Sequence, residues 1–189
     1  MKGNEQVVAA LNDTLRNAHS AFMQFAKHAL WFQEKGYGKL AEMEAGEAAK
    51  EKTYMDRLAY RIMFLEGDPD FGSMGKAFFA SDFRPILDAD LGQQKTSAET
   101  LRHAVKTAND VQDYASRDLA NEILKAKEDR IDQIETEIEQ FEAMAREIYV
   151  HPSLKAPQRR AAGRRVHRNG RTPTSDPQLF VGQSYRMAV

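Results

Sequence analysis

The sequence predicts an all-α protein: a four-helix bundle over residues 1–150 with a long crossover, a short C-terminal helical segment, and an extended basic tail over 151–189. Three observations predict this. Apolar residues recur in alternating steps of three and four along four segments, which is the spacing of a helix face and not of a strand. The segments are separated by two short breaks and one long break. Such connections are typical of a bundle that crosses over between its second and third helices.

Each helix is predicted from its own apolar series, and each connection from Gly, Pro, Asn or Asp residues between the series. The four series are Val8, Leu11, Leu15, Ala18, Phe22, Phe25, Ala29; Ala41, Glu44, Ala48, Glu51, Met55, Leu58, Ile62, Leu65; Leu87, Leu91, Gln94, Ala98, Leu101, Val105, Ala108; and Ala120, Ile123, Lys127, Arg130, Ile134, Ile138, Phe141. The breaks fall at Gly36–Gly38, Gly67–Gly75 and Asn109–Asp110. The further helical segment is predicted from about Arg146.

Charge is divided unevenly along the chain. Residues 151–189 contain eight Lys or Arg and one Asp, a net charge of +7, whereas residues 1–150 contain the remaining 19 basic and 27 acidic residues, a net charge of −8. The 189 residues include no cysteine, which excludes disulfides and thiolate metal ligands. The sequence has no apolar stretch of about 18 residues and no signal-peptide pattern. We therefore expect a cytoplasmic protein without a membrane partner.

Four polar residues occupy positions where a bundle normally places Leu, Ile or Ala: Glu51, Gln94, Lys127 and Arg130. Burial of an unpaired charge costs several kcal/mol, so this placement requires an explanation. A buried ion pair or a misjudged helix phase would account for it. A metal site in the bundle core, or its remnant, would also account for it, because di-iron bundles use Glu-x-x-His motifs with the same spacing as Glu51–Tyr54 and Lys127–Arg130.

Several segments of the first 150 residues resemble bacterioferritin. They are MKG at the start, IMFLEGDP at 62–69, DYASRDL at 113–119, EIL at 122–124 and IDQIET at 131–136. The run SRD followed by EIL is the most specific of these. The resemblance implies a ferritin-like four-helix subunit of a hollow shell of twenty-four chains that oxidises and stores iron, with haem at two-fold interfaces.

The resemblance also implies where the di-iron ligands, four glutamates and two histidines, would lie. These positions are held by Ala18, Glu51, Tyr54, Gln94, Lys127 and Arg130. Only Glu51 keeps the ligand type. Iron prefers carboxylate and imidazole ligands, and two of the replacements are cations that would repel it. We therefore expect no metal and no catalytic residue at this site. We expect an ion-pair network instead, in which Glu51 pairs with Lys127 or Arg130 and Tyr54 can donate a hydrogen bond to it.

The family's haem-ligating methionine corresponds to Lys52, whose ammonium cannot ligate iron. His19 and Met55 lie close enough to be considered as haem-pocket residues, although a half-buried histidine and a core methionine explain them equally. The chain alone is therefore expected to bind no cofactor. Haem could bind at a mixed two-fold interface if a partner subunit supplied a methionine. On the inner face, Glu47 remains as an iron-contacting residue of the family type.

Three interpretations of residues 151–189 remain open. The tail could be a disordered, solvated extension. Its arginines could bind a polyanion. Finally, the peptide Leu179-x-Val181-Gly182-x-Ser184 is similar to the cargo-loading peptides that dock in encapsulin shells, which would make the tail a tether for an extended docking peptide.

Two functional hypotheses follow. The first is a ferroxidase-inactive subunit, not an enzyme, that co-assembles with an active bacterioferritin chain in a mixed iron-storage shell. The second is an adaptor that oligomerises through the bundle and docks through the tail to an encapsulin-like shell or a polyanion.

Overall fold

The computed structural model describes residues 2–150, without the side chains of residues 149 and 150. Four helices account for most of these residues: α1 (Glu5–Glu34), α2 (Gly38–Phe64), α3 (Phe83–Asp110) and α4 (Tyr114–Val150). The described residues contain no strand, which confirms the all-α prediction. Within the same range, no helix combines the length and apolar character that a membrane span requires.

The helix ends follow local sequence chemistry. The side chain of Asn4 accepts a hydrogen bond from the backbone N–H of Gln6 and so caps α1, and Asp82 caps α3 through the N–H of Phe83. After α1 the chain turns at Gly36, whose φ of +81° lies in the left-handed region that glycine tolerates. The first two predicted breaks lie at the observed connections, although Gly38 is already the first residue of α2, whereas the third, Asn109–Asp110, falls on the last two residues of α3 and the connection to α4 is 111–113.

The helices pack as two pairs, α1 with α2 and α3 with α4, and α1 also packs against α3. All eight predicted core residues of α2 are buried. In α3 two of the predicted core residues, Leu91 and Val105, are only partly buried, and Asp90, next to Leu91, is fully buried. Two polar side chains of α1, Gln24 and His28, bond one oxygen of the Asp90 carboxylate, Oδ1, at this core position.

Residues 65–82 connect α2 to α3 and cross the bundle over α1. Close packing fixes the start of this crossover, because a side chain at Gly67 would approach Val8 to 2.6 Å. Asn12 then bonds the backbone at both Asp68 and Asp70. Farther along, backbone N–H groups of the crossover reach polar side chains of α1. The crossover thereby covers buried polar side chains of α1, Gln24 and His28.

The helical segment expected near Arg146 is the last part of α4, which continues to Val150. Neither Gly nor Pro occurs between Tyr114 and Val150, so the backbone has no local reason to break there. The basic tail and its docking peptide lie outside the described residues.

Candidate functional site

A buried ion pair joins α2 and α4 at the centre of the bundle. The ammonium of Lys127 donates a hydrogen bond to Oε1 of Glu51, and both side chains are buried. Burial raises the pKa of Glu51, and the charge of Lys127 opposes that shift. Two of the six positions matched to the family's iron ligands therefore bind each other.

Arg130 lies one turn farther along α4 and has different partners. Its guanidinium donates to Glu44 Oε1 at 3.3 Å and to Glu137 Oε1 at 2.9 Å. The expectation that Glu51 could pair with either cation therefore needs correction, since of the two cations only Lys127 bonds Glu51. The cause is geometric, because Arg130 lies one turn farther along α4 and bonds Glu44, about two turns before Glu51 on α2.

Tyr54, Gln94 and Ala18 complete the six positions, and none of them offers a carboxylate or an imidazole. The ring of Tyr54 lies 5.3 Å from the ammonium of Lys127, a cation–π arrangement. The expected hydrogen bond from the Tyr54 hydroxyl to Glu51 is not formed. Gln94 is fully buried with both amide atoms unpartnered. Ala18 is part of the apolar core. A carboxylate at 18 or 94 and an imidazole at 54 are all missing, so the donor set does not fit a di-iron centre.

A cavity of about 230 Å³ lies beside this pair. Its lining includes Glu51, Tyr54, Gln94, Lys127, Arg130 and Glu47. Glu47, the predicted inner-surface residue, accepts a hydrogen bond from Lys50 at 2.7 Å. An adjacent cation therefore offsets its charge, and Glu47 lacks an acidic neighbour at position 50 with which to share an ion.

The haem-related positions lie apart from the ion pair. Lys52 is exposed and bonds Asp56 at 2.6 Å, whereas Met55 belongs to the apolar core. His19 is half-buried, and its Nδ1 has no partner. Lys52 also lines an apolar groove of about 620 Å³ between α1 and α2. The structure thus separates Lys52 at this groove from Met55 in the core.

A second polar cluster lies toward the N-terminal end of α2 and was not predicted from the sequence. His28 Nδ1 and Gln24 Nε2 both lie 2.8 Å from Asp90 Oδ1, and all three side chains are fully buried. The crossover closes over them, since the N–H of Phe78 donates to Gln24 and that of Ala80 donates to His28 Nε2. The recurrence of Phe25, His28 and Phe32 at helical spacing could have indicated a core histidine.

Glu44 joins this cluster to Arg130. It is 1% exposed, and among residues 2–150 neither Oε2 of Glu44 nor Oδ2 of Asp90 has a hydrogen-bond partner. Burial, followed by repulsion from Asp90, raises the pKa of Glu44 to about 9. The core therefore contains two polar levels: the Lys127–Glu51 pair, and a cluster of Gln24, His28, Glu44 and Asp90, which we call the upper cluster.

Comparisons with known proteins agree with this architecture. The ferritin-like domain family matches residues 8–144. A bacterial ferritin of Neisseria meningitidis is 30% identical over 155 residues, which cover 82% of this chain and all of that protein. A bacterioferritin of Brucella melitensis is 29% identical over 149 residues, or 79% of this chain and 92% of the relative. A bacterioferritin of Rhodobacter capsulatus is 26% identical over 144 residues, or 76% and 89%.

The class of protein is therefore a ferritin-like four-helix bundle. Within that class, the extent of these matches and the shared bundle place the chain in the bacterioferritin family.

Proposed function

We propose that this chain is a ferroxidase-inactive bacterioferritin subunit that co-assembles with an active chain in a mixed iron-storage shell. One observation carries the proposal: Lys127 occupies a di-iron ligand position and binds Glu51, the one remaining ligand-type residue. An Fe²⁺ ion at this position would have to displace a buried ammonium and would meet only one carboxylate. The bundle itself is kept, which supports a role in assembly.

Exposed apolar surface also supports assembly. Leu30 is 73% exposed beside the groove between α1 and α2, and the crossover exposes Phe71, Phe78 and Phe79 by 42–55%. Exposed large apolar groups of this kind are typical of surfaces that bind another protein chain. An active subunit could cover the α1–α2 groove and supply a haem-ligating methionine opposite Lys52.

Co-expression with an active bacterioferritin of the native host, followed by mass spectrometry of intact particles, tests this proposal. Particles that contain both chains are expected. The matched variant is Leu30→Asp, which should reduce incorporation, because it places a carboxylate in a contact that mixed assembly would bury. Leu30 contributes little to the bundle core, so helicity should be unchanged. Particles from the native host that contain only one kind of chain would contradict the proposal.

The sequence of the tail favours a second candidate, an adaptor. Leu179, Val181, Gly182 and Ser184 follow an Arg-rich linker, as in cargo-loading peptides of encapsulins. In this role the bundle would oligomerise and the tail would dock the particle to a larger shell. Co-purification of a shell protein with the full-length chain, and its loss on removal of residues 175–189, would favour the adaptor.

A further inference from the structure

The upper cluster contains two buried carboxylates, and Arg130, the cation bonded to it, is shared with the partly exposed Glu137. Three carboxylates, those of Glu44, Asp90 and Glu137, interact with the single guanidinium of Arg130 or with one another. The other two polar members do not add charge in the observed arrangement. Gln24 is an amide, and His28 accepts a hydrogen bond at Nε2 while its Nδ1 faces Asp90, which describes a neutral ring protonated at Nδ1. With all three carboxylates ionised, these residues together with Arg130 would carry a net charge of −2.

The cluster also brings potential ligand atoms from three helices close together. One ligand atom from each of His28, Glu44 and Asp90 lies within 4.8 Å of the others. Ligands at about 2.0–2.2 Å around a tetrahedral ion are roughly 3.3–3.6 Å apart, so the most widely separated ligand atoms need to close by about 1.2–1.5 Å. Glu44 Oε2 and Asp90 Oδ2 are buried and unpartnered, and an unpaired buried oxygen is costly unless a ligand satisfies it.

We infer that His28, Glu44 and Asp90 form a binding site for a single divalent transition-metal ion, in addition to the subunit's role in a shell. One imidazole nitrogen and two carboxylates form the donor set that Zn²⁺, Fe²⁺ and Mn²⁺ accept. An ion of charge +2 would balance the net charge of −2. The site is distinct from the family's di-iron position, since Glu44 precedes Glu51 by seven residues, about 10 Å along α2.

Other groups position the ligands. Gln24 donates to Asp90 Oδ1, and Arg130 donates to Glu44 Oε1, so each carboxylate keeps its second oxygen for the ion. In this structure the N–H of Ala80 donates to His28 Nε2. When His28 binds a metal through Nδ1, the ring proton moves to Nε2, which can then no longer accept that hydrogen bond. The crossover must then release that hydrogen bond. Ion binding is therefore coupled to the backbone at Ala80.

A calorimetric titration of the full-length, chelator-treated chain with Zn²⁺ tests the site. One buried equivalent per chain is expected, and Ca²⁺ at the same concentration should not compete. Asp90→Asn, Glu44→Gln and His28→Gln should each weaken this binding at least about tenfold. The matched controls Asp88→Asn and Glu42→Gln change exposed acids on the same helices and should leave it intact. Hydrogen exchange at the amide of Ala80 should become faster on metal binding.

Several results would overturn the inference. The first is that the chain does not bind Zn²⁺. The second is that binding survives in both Asp90→Asn and Glu44→Gln. The third is that Glu51→Gln abolishes binding while Asp90→Asn and Glu44→Gln do not. Tight binding that is independent of His28 and leaves Ala80 exchange unchanged would overturn the assignment of His28 as a ligand. Each variant is checked for native helicity. Should Asp90→Asn fail to fold, Glu44→Gln decides the question, because an amide replaces the carboxyl there at nearly the same size.

Discussion

The ammonium of Lys127 on α4 binds the carboxylate of Glu51 on α2, and both side chains are within 4% of complete burial. This pair fills the level of the bundle where the family pattern places iron ligands. The cation of this pair, the Lys127 ammonium, is part of the protein and cannot leave, whereas a metal ion can be loaded and released. The pair therefore explains how the bundle stays folded without a metal at this level.

Stability should depend on the completeness of this pair. Glu51→Ala leaves the Lys127 ammonium buried without a partner, and the free energy of unfolding should fall by roughly 3–5 kcal/mol. The double variant Glu51→Leu, Lys127→Met removes both charges and should be much less destabilised. Urea unfolding measures both effects. As a control, Lys106→Ala breaks an exposed pair with Asp110 and should cost no more than about 1 kcal/mol. A neutral Glu51→Ala would contradict the ion-pair explanation.

The chain should oxidise iron only when Lys127 and Arg130 are replaced by iron ligands together with the residues at 18, 54 and 94. The purified wild-type chain should not oxidise Fe²⁺ above background. A variant with Ala18→Glu, Tyr54→His, Gln94→Glu, Lys127→Glu and Arg130→His carries four glutamates and two histidines and should show a saturable burst, measured by stopped-flow absorbance.

The matched control restores positions 18, 54 and 94 but keeps Lys127 and Arg130. It should remain inactive, because two fixed cations repel Fe²⁺ and occupy the ligand positions on α4. Activity in this control, or in the wild-type chain, would show that the Lys127–Glu51 pair does not block the reaction.

Stability should fall as the pH rises. Glu44 has a pKa of about 9 in the folded chain and 4.5 as its ordinary value. Between these values the folded state holds a proton that the unfolded state releases, so the stabilisation is complete below pH 4.5 and is lost as the pH rises through 9. The slope from one such group is up to about 1.4 kcal/mol per pH unit.

Urea unfolding of chelator-treated protein at pH 6 to 9 measures this slope. Glu44→Gln should reduce it, since the amide cannot release a proton, and Glu42→Gln, an exposed change on the same helix, should not. An equal slope in the wild type and in Glu44→Gln would mean that Glu44 does not titrate in this window.

Deletion of residues 175–189 should leave assembly intact and abolish docking to a larger shell or other partner. About 25 residues separate the bundle from Leu179, and a flexible chain of that length spans roughly 25–30 Å, enough to reach a neighbouring surface. Many copies of the peptide on one particle would raise its avidity. Pull-down from the native host, with the full-length chain beside the deletion, measures the effect.

The arginines of the tail should act separately from the docking peptide. Substitution of the cluster Arg159, Arg160, Arg164, Arg165, Arg168 and Arg171 with Gln should weaken salt-sensitive retention on heparin without removing the docked partner. If the full-length chain and a 1–150 truncation share all partners and elute from heparin at the same salt concentration, neither functional interpretation of the tail holds.

The sequence by itself determined the helices, the crossover and the loss of the iron ligands. Every residue that helical periodicity predicted for the core of α2 is buried, although Glu47 and Ala59 are buried as well, because the alternating spacing marks one stripe of a helix and not the full width of its buried face. The bacterioferritin resemblance located the six ligand positions, and side-chain chemistry alone excluded iron at Ala18 or Lys127.

Only the tertiary structure decided which charges meet. Arg130 and Lys127 are three residues apart and equivalent in the sequence pattern, yet one reaches Glu44 and the other Glu51. The upper cluster was also invisible, since His28, Glu44 and Asp90 come from three helices with no common spacing. Partner choice depends on distances between helices of an ångström or two, and a periodic pattern within one helix carries no information about those distances.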